Sequence, residues 1–152
     1  MAMSAHIREP QRHPAGTGNA FDINLPKDVT CEARMVTGLL LVLDRRCWLG
    51  QLQASDFFCP FYQQLFEEMR DMPADADLVN HLCANVTLPG TTTAAAIAQV
   101  VMFDGEYPGV ATPRRLQQHV QRLKVVGVHR RRIIAAVEEL RRVILDATDD
   151  LT

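Results

Sequence analysis

The segment from Thr112 to the end constrains the fold more than any other. Thr112-Pro113 joins a cap residue to a proline at the first helical position, where the missing N–H costs nothing. No later proline interrupts the segment. Leu116, Val120, Leu123, Gly127, Ile134, Val137, Leu140 and Ile144 recur at helical spacing through about Asp146. A helix of roughly 30 residues is about 45–50 Å long. The rest of the chain is too small to cover such a rod, so part of it has to project. Gly127, with Arg130 following where the stripe would be apolar, marks the place for a kink or a break into two helices.

The second constraint is an aromatic stretch, Ser55 to Met69, which holds four of the six phenylalanines and one of the two tyrosines. Ser55 can cap a helix there, Asp56 suits the positive end of its dipole, and Pro60 is tolerated in the first turn. Phe58, Phe61, Leu65 and Met69 share one face, with Tyr62 and Phe66 on the adjoining stripe. So broad an apolar face predicts a helix buried at the centre of the body.

Shorter elements surround these two. Asp28 or Thr30 can cap a helix whose apolar stripe is Val36, Leu39, Leu40 and Leu43, widened by Met35 and Val42. Cys47 to Leu52 suits a short second helix. Asp77 can cap another that contains Leu78, Val79, Leu82 and Cys83. Ala94 to Phe103 follows three threonines and reads as a helix, and Asp104 to Gly109 reads as a loop. Residues 1–24 mix prolines and glycines with polar residues without periodicity, the pattern of a disordered tail. No segment reads as a strand.

Composition excludes several function classes. With 47% hydrophobic residues and a net charge of −2, the chain suits one globular domain. No apolar run approaches the ~20 residues of a membrane span, and the N-terminus lacks the apolar segment of a secretory signal, which predicts a cytoplasmic protein without membrane contact. Cys31, Cys47, Cys59 and Cys83 form no CxxC, so buried reduced thiols are expected rather than a zinc site drawn from Cys47, Cys59, His81 and Cys83. No GxxxxGK[ST] occurs, which excludes a P-loop ATPase. A cysteine nucleophile would need His81 or His119 beside it, and the cysteines lie on apolar stripes. Neither a catalytic centre nor a cofactor or metal site is expected.

Charge is divided unevenly. Residues 112–152 carry nine Lys/Arg against five Asp/Glu, a net +4; the rest carry seven against thirteen, a net −6. Three consecutive arginines, Arg130, Arg131 and Arg132, fan over about 200° of a helix, so any neighbour meets at least one of them. Arg122, Arg141 and Arg142 extend the cluster. Two readings stay open for these six: contact with nucleic-acid phosphates or an acidic partner, or a solvated face paired with Glu138 and Glu139. No aromatic residue lies among them, which weakens any model of stacked single strands.

The run Asp56-Phe57-Phe58-Cys59-Pro60-Phe61-Tyr62-Gln63-Gln64-Leu65-Phe66-Glu67 resembles the Asp-Phe-Tyr-x-Pro-x-His-x-x-Ile-Phe-Glu signature in the N-terminal domain of DnaB-type bacterial replicative DNA helicases. Val36-Thr37-Gly38-Leu39-Leu40-Leu41, Asp77-Leu78-Val79 and Arg131-Arg132-Ile133-Ile134 are similar to further segments of that domain, in the same order, over residues 25–146. Ala33 departs from the family's usual glutamate, and residues 88–109 are less similar. The second arm of the family's helical hairpin, its linker helix and its ATPase domain have no counterpart in these residues. The resemblance implies a domain without enzymatic activity that pairs with other copies and docks primase.

The expected fold is therefore all-α: a compact bundle of about six helices with a long C-terminal helix projecting as one arm of a hairpin. Residues 1–24 form the tail, 25–111 the body and 112–152 the interaction arm. The expected partners are a replicative helicase or primase and a second copy, most simply as a homodimer. Leu116, Val120, Leu123, Ile134, Val137, Leu140 and Ile144 are the candidate partner-binding residues. Arg122, Arg130, Arg131, Arg132, Arg141 and Arg142 are the candidates for contact with DNA or an acidic partner. The alternative function is a DNA-binding regulator that uses this arginine-rich helix.

Overall fold

The structure is a computed structural model that describes residues 24–42, 44–104 and 112–151. Residues 1–23 of the expected tail, Leu43 of the first expected helix and most of the expected loop at 104–109 lie outside the described residues. The fold is all-α, with six helices: α1 (Val29–Leu41), α2 (Arg45–Leu49), α3 (Pro60–Asp71), α4 (Leu78–Asn85), α5 (Thr93–Gln99) and α6 (Pro113–Asp149). A 3-10 turn (Ala54–Asp56) precedes α3 and a π turn (Val100–Asp104) extends α5. No strand occurs among the described residues, and no helix is long and apolar enough to cross a membrane.

Local capping chemistry sets most helix starts. The side chains of Asp28, Asp77, Thr92 and Thr112 each accept a hydrogen bond from a backbone N–H in the first turn of α1, α4, α5 and α6. α6 begins at Pro113, as its Thr-Pro pair predicts, and continues as one α-helix for 37 residues, about 55 Å. It does not break at Gly127. That glycine is present for a close approach: an added Cβ would lie 2.8 Å from Asp56 Oδ1 and 3.2 Å from the Asp56 Cα.

The aromatic helix starts later than its sequence suggests. Ser55 lies in the 3-10 turn and does not cap α3; the backbone is extended at Phe57, and Pro60 opens the helix. This offset changes which aromatics are buried. Phe57 and Phe66 are fully enclosed with ring centroids 5.2 Å apart, while Phe58 and Phe61 are only half-buried. Tyr62, Leu65 and Met69 complete the buried face of α3.

The centre of the bundle is α1, not α3. It buries eight of its thirteen residues and packs against α2, α3, α6 and the π turn. Met35, Val36 and Leu39 meet Leu65 and Phe66 from α3 and Leu116, Val120 and Leu123 from α6 in one core. Small residues at Cys31, Ala33 and Gly38 let neighbouring elements approach α1 closely on several sides, whereas aromatic α3 covers one flank. In α4 only Leu82 is buried, and Val79 and Cys83 face solvent.

Candidate interaction surface

α6 divides at Arg130. Leu116, Val120, Leu123, Val126, Gly127 and Arg130 are buried against the body, and beyond Arg130 no described residue of the helix is buried. Three of the seven expected partner-binding residues, Leu116, Val120 and Leu123, are therefore core residues of the chain itself, with 0–1% exposure. A helix period repeats without distinguishing a partner from the chain's own body, so the sequence merged the two halves of one stripe. Ile134, Leu140 and Ile144 are 38–47% exposed and Val137 is partly exposed. Val143, Leu145 and Leu151 are also exposed.

The arginines divide in the same way. Arg130 is 4% exposed; its guanidinium donates to the carbonyl oxygens of Pro26 (3.1 Å) and Ser55 (2.9 Å) and lies 5.7 Å from the centre of the Phe58 ring. Burial lowers its pKa, with Glu32 acting the other way. Arg131 donates to Ser55 Oγ (3.1 Å) and to Asp56 Oδ1 (2.9 Å). Asp56, 3% exposed, also accepts the Gln53 N–H through Oδ2 (2.9 Å). These two arginines clamp the helix to the 3-10 turn. Their guanidinium groups are thus already engaged within the chain.

Arg122 pairs with Asp28 at 3.0 Å, and Arg142 pairs with Glu139 at 2.6 Å across one turn. Arg132 and Arg141 are exposed, and Arg132 has no hydrogen-bond or ionic partner among the described residues. Arg132, Arg141 and Arg142 thus remain the cations that the projecting half presents to solvent.

Two functional groups escaped the sequence reading. Glu32 reads there as a first-turn charge on α1, yet it is fully buried. Its Oε1 accepts the N–H of Phe58 (2.8 Å) and Cys59 (3.0 Å), just ahead of α3. Burial raises its pKa, while the two N–H donors and the Arg130 charge act in the opposite direction. Asp56 reads as a dipole partner for α3 and instead holds α6. Neither role has a local signal, because both partners lie far away in sequence.

Among the described residues Cys31 Sγ lies 3.7 Å from His119 Nδ1. Burial pushes the Cys31 thiol up to about 12, and burial together with Arg34 and Arg115 pushes the His119 pKa down, both of which disfavour the thiolate–imidazolium pair that a cysteine nucleophile uses. Cys47 and Cys83 are exposed, contrary to the expectation of buried thiols, and Cys59 is half-buried. Among the described residues no three His, Cys, Asp or Glu side chains converge as a metal site would need. A shallow groove of about 690 Å³ lies between α2 and the end of α3, where Arg45, Arg46 and Arg70 rim a floor that includes Leu49, Leu52 and Met69.

Comparison of the chain with protein-family models, with curated proteins and with solved structures finds no match.

Proposed function

We propose that this chain is a non-catalytic interaction module of DNA replication, which joins a replicative helicase or primase and associates with itself. One observation carries the interaction reading. Half of a 37-residue helix stands clear of the body and presents Ile134, Val137, Leu140 and Ile144 along its length. An apolar helix face of this kind is a recognition element for another helix, with positions three and four apart acting as anchors. The replication context rests on the ordered resemblance of residues 25–146 to the helicase N-terminal domain, and the all-α bundle with one long arm is consistent with it.

Capture of the host's replicative helicase and primase by the tagged chain tests this reading. The chain is expected to retain one of them at high salt, and Leu140→Glu combined with Ile144→Glu is expected to release it. Retention of neither protein would refute the replication context.

The exposed and unpartnered Arg132, with Arg141 and Arg142 further along the helix, supports a second reading as a DNA-binding regulator. Binding of this kind should weaken steeply between low and physiological salt and disappear when all three become alanine. Salt-resistant partner capture by that triple variant decides for the apolar stripe.

A further inference from the structure

We infer that the groove between α2 and the end of α3 docks a short acidic segment of a partner protein, bound in extended form. An aliphatic side chain of that segment enters the groove, and the carboxylates beside it meet Arg45, Arg46 and Arg70. The groove lies on the body, apart from the arginine-rich helix and its projecting half.

Cations collect here against the sign of the body. Residues 1–111 hold seven Lys/Arg against thirteen Asp/Glu, yet three of those seven line this groove, where one carboxylate, Asp44, joins them. Arg70 also pairs with Asp71 at 3.2 Å, but both side chains are exposed and solvent weakens the attraction. The local field therefore favours an anion, over the short range that salt leaves unscreened.

Two of the three arginines are held in place before any ligand arrives. Arg45 Nε donates to the carbonyl oxygen of Leu39 near the end of α1 (3.0 Å). The Arg70 guanidinium lies 5.9 Å from the centre of the buried Phe66 ring. Arg46 is exposed, and its guanidinium has no hydrogen-bond or ionic partner among the described residues. Side chains fixed in advance lower the ordering cost of binding, and a guanidinium fork matches a carboxylate with two parallel hydrogen bonds.

Shape and floor select the form of the ligand. Leu49, Leu52 and Met69 give the groove an apolar floor, which Met72 and Pro73 extend. α2 has five residues and is about 7.5 Å long. A docked helix needs anchors as far apart as i and i+7, about 10 Å, and so overruns it. An extended segment rises about 3.3 Å per residue and places about three residues alongside α2. Nucleic acid suits the groove less well. Its phosphates gain nothing from an apolar floor, and their dense charge meets a body of net −6.

Fluorescence anisotropy of the full chain with a labelled peptide, Glu-Asp-Leu-Glu-Asp-Leu-Glu-Asp, is expected to show saturable binding. Arg46→Glu with Arg70→Glu, both at exposed positions, is expected to keep the helix content and to weaken binding about tenfold or more. A peptide with serine in place of both leucines is expected to bind about tenfold more weakly. Methyl NMR of the unmodified chain locates the site without any substitution: the signals of Leu49, Leu52 and Met69 are expected to move as the peptide is added. The Leu140→Glu, Ile144→Glu chain is expected to bind the peptide as the unmodified chain does, which separates this groove from the projecting stripe. No saturation below about 1 mM overturns the inference, as do equal binding of the serine peptide or shifts confined to α6. Tighter binding of labelled oligothymidine, lost in the Arg46→Glu, Arg70→Glu chain, would overturn it in favour of nucleic acid.

Discussion

Glu32 has its carboxylate enclosed by the core, with one oxygen accepting two backbone N–H groups and the other without a partner among the described residues. Glu32→Ala strands those donors and should destabilise the chain by roughly 2 kcal/mol or more in chemical denaturation. Glu32→Gln keeps an acceptor and removes the charge. Because burial raises the folded pKa above 4.5, the stability due to the protonated form is present below 4.5 and is lost as pH rises through the folded value. The Glu32→Gln chain should therefore lose less stability than the wild type between pH 4 and 7. An identical pH dependence in both chains would show that Glu32 keeps an ordinary pKa.

Gly127 poses a contest of magnitudes at the same scale. Alanine gains about 1 kcal/mol of helix propensity, yet its Cβ meets Asp56 Oδ1 at 2.8 Å and the Asp56 backbone at 3.2 Å. Overpacking of this kind costs typically 1–3 kcal/mol, and the displaced Asp56 would weaken its bond to Arg131. Gly127→Ala should thus lower stability, by about 1 kcal/mol net. Arg130→Ala should cost more, about 3 kcal/mol, since it empties two carbonyl acceptors and removes a cation whose charge acts on the buried Glu32.

Among elements, α1 and α6 carry the architecture, and His119 lies where they meet. Its ring approaches Cys31 of α1, and burial, Arg34 and Arg115 lower its pKa from 6.5, with Asp28 pulling weakly upward. The unfolded chain takes up a proton near 6.5 that the folded chain resists, so folding stability falls as pH drops through 6.5. His119→Gln should flatten that part of the stability curve, measured by thermal melts at pH 7.5 and 5.5. The projecting half of α6 should behave oppositely to the docked half. Because nothing beyond Arg130 in this helix is buried, a chain ending at residue 132 should melt close to the full-length temperature and lose partner capture. A collapse of the melting temperature would mean that the arm supports the body.

At the scale of the whole molecule, what could be read from sequence was local. Each helix start that a side chain caps was visible, because Asp28, Asp77, Thr92 and Thr112 act on backbone N–H groups three residues away. The single long helix was visible because its period runs on without proline. Residues alone thus determined an all-α chain with one helix too long for its body. Tertiary structure alone decided the rest: that α1 rather than α3 is the hub, that Leu116, Val120 and Leu123 belong to the core, and that Arg130 and Arg131 are clamps. Those roles arise from contacts such as Arg130 to Pro26 and Arg131 to Asp56, separated by 104 and 75 residues. Periodicity states that a face is apolar or charged, and only the folded chain determines whether that face meets its own body or remains open to another molecule.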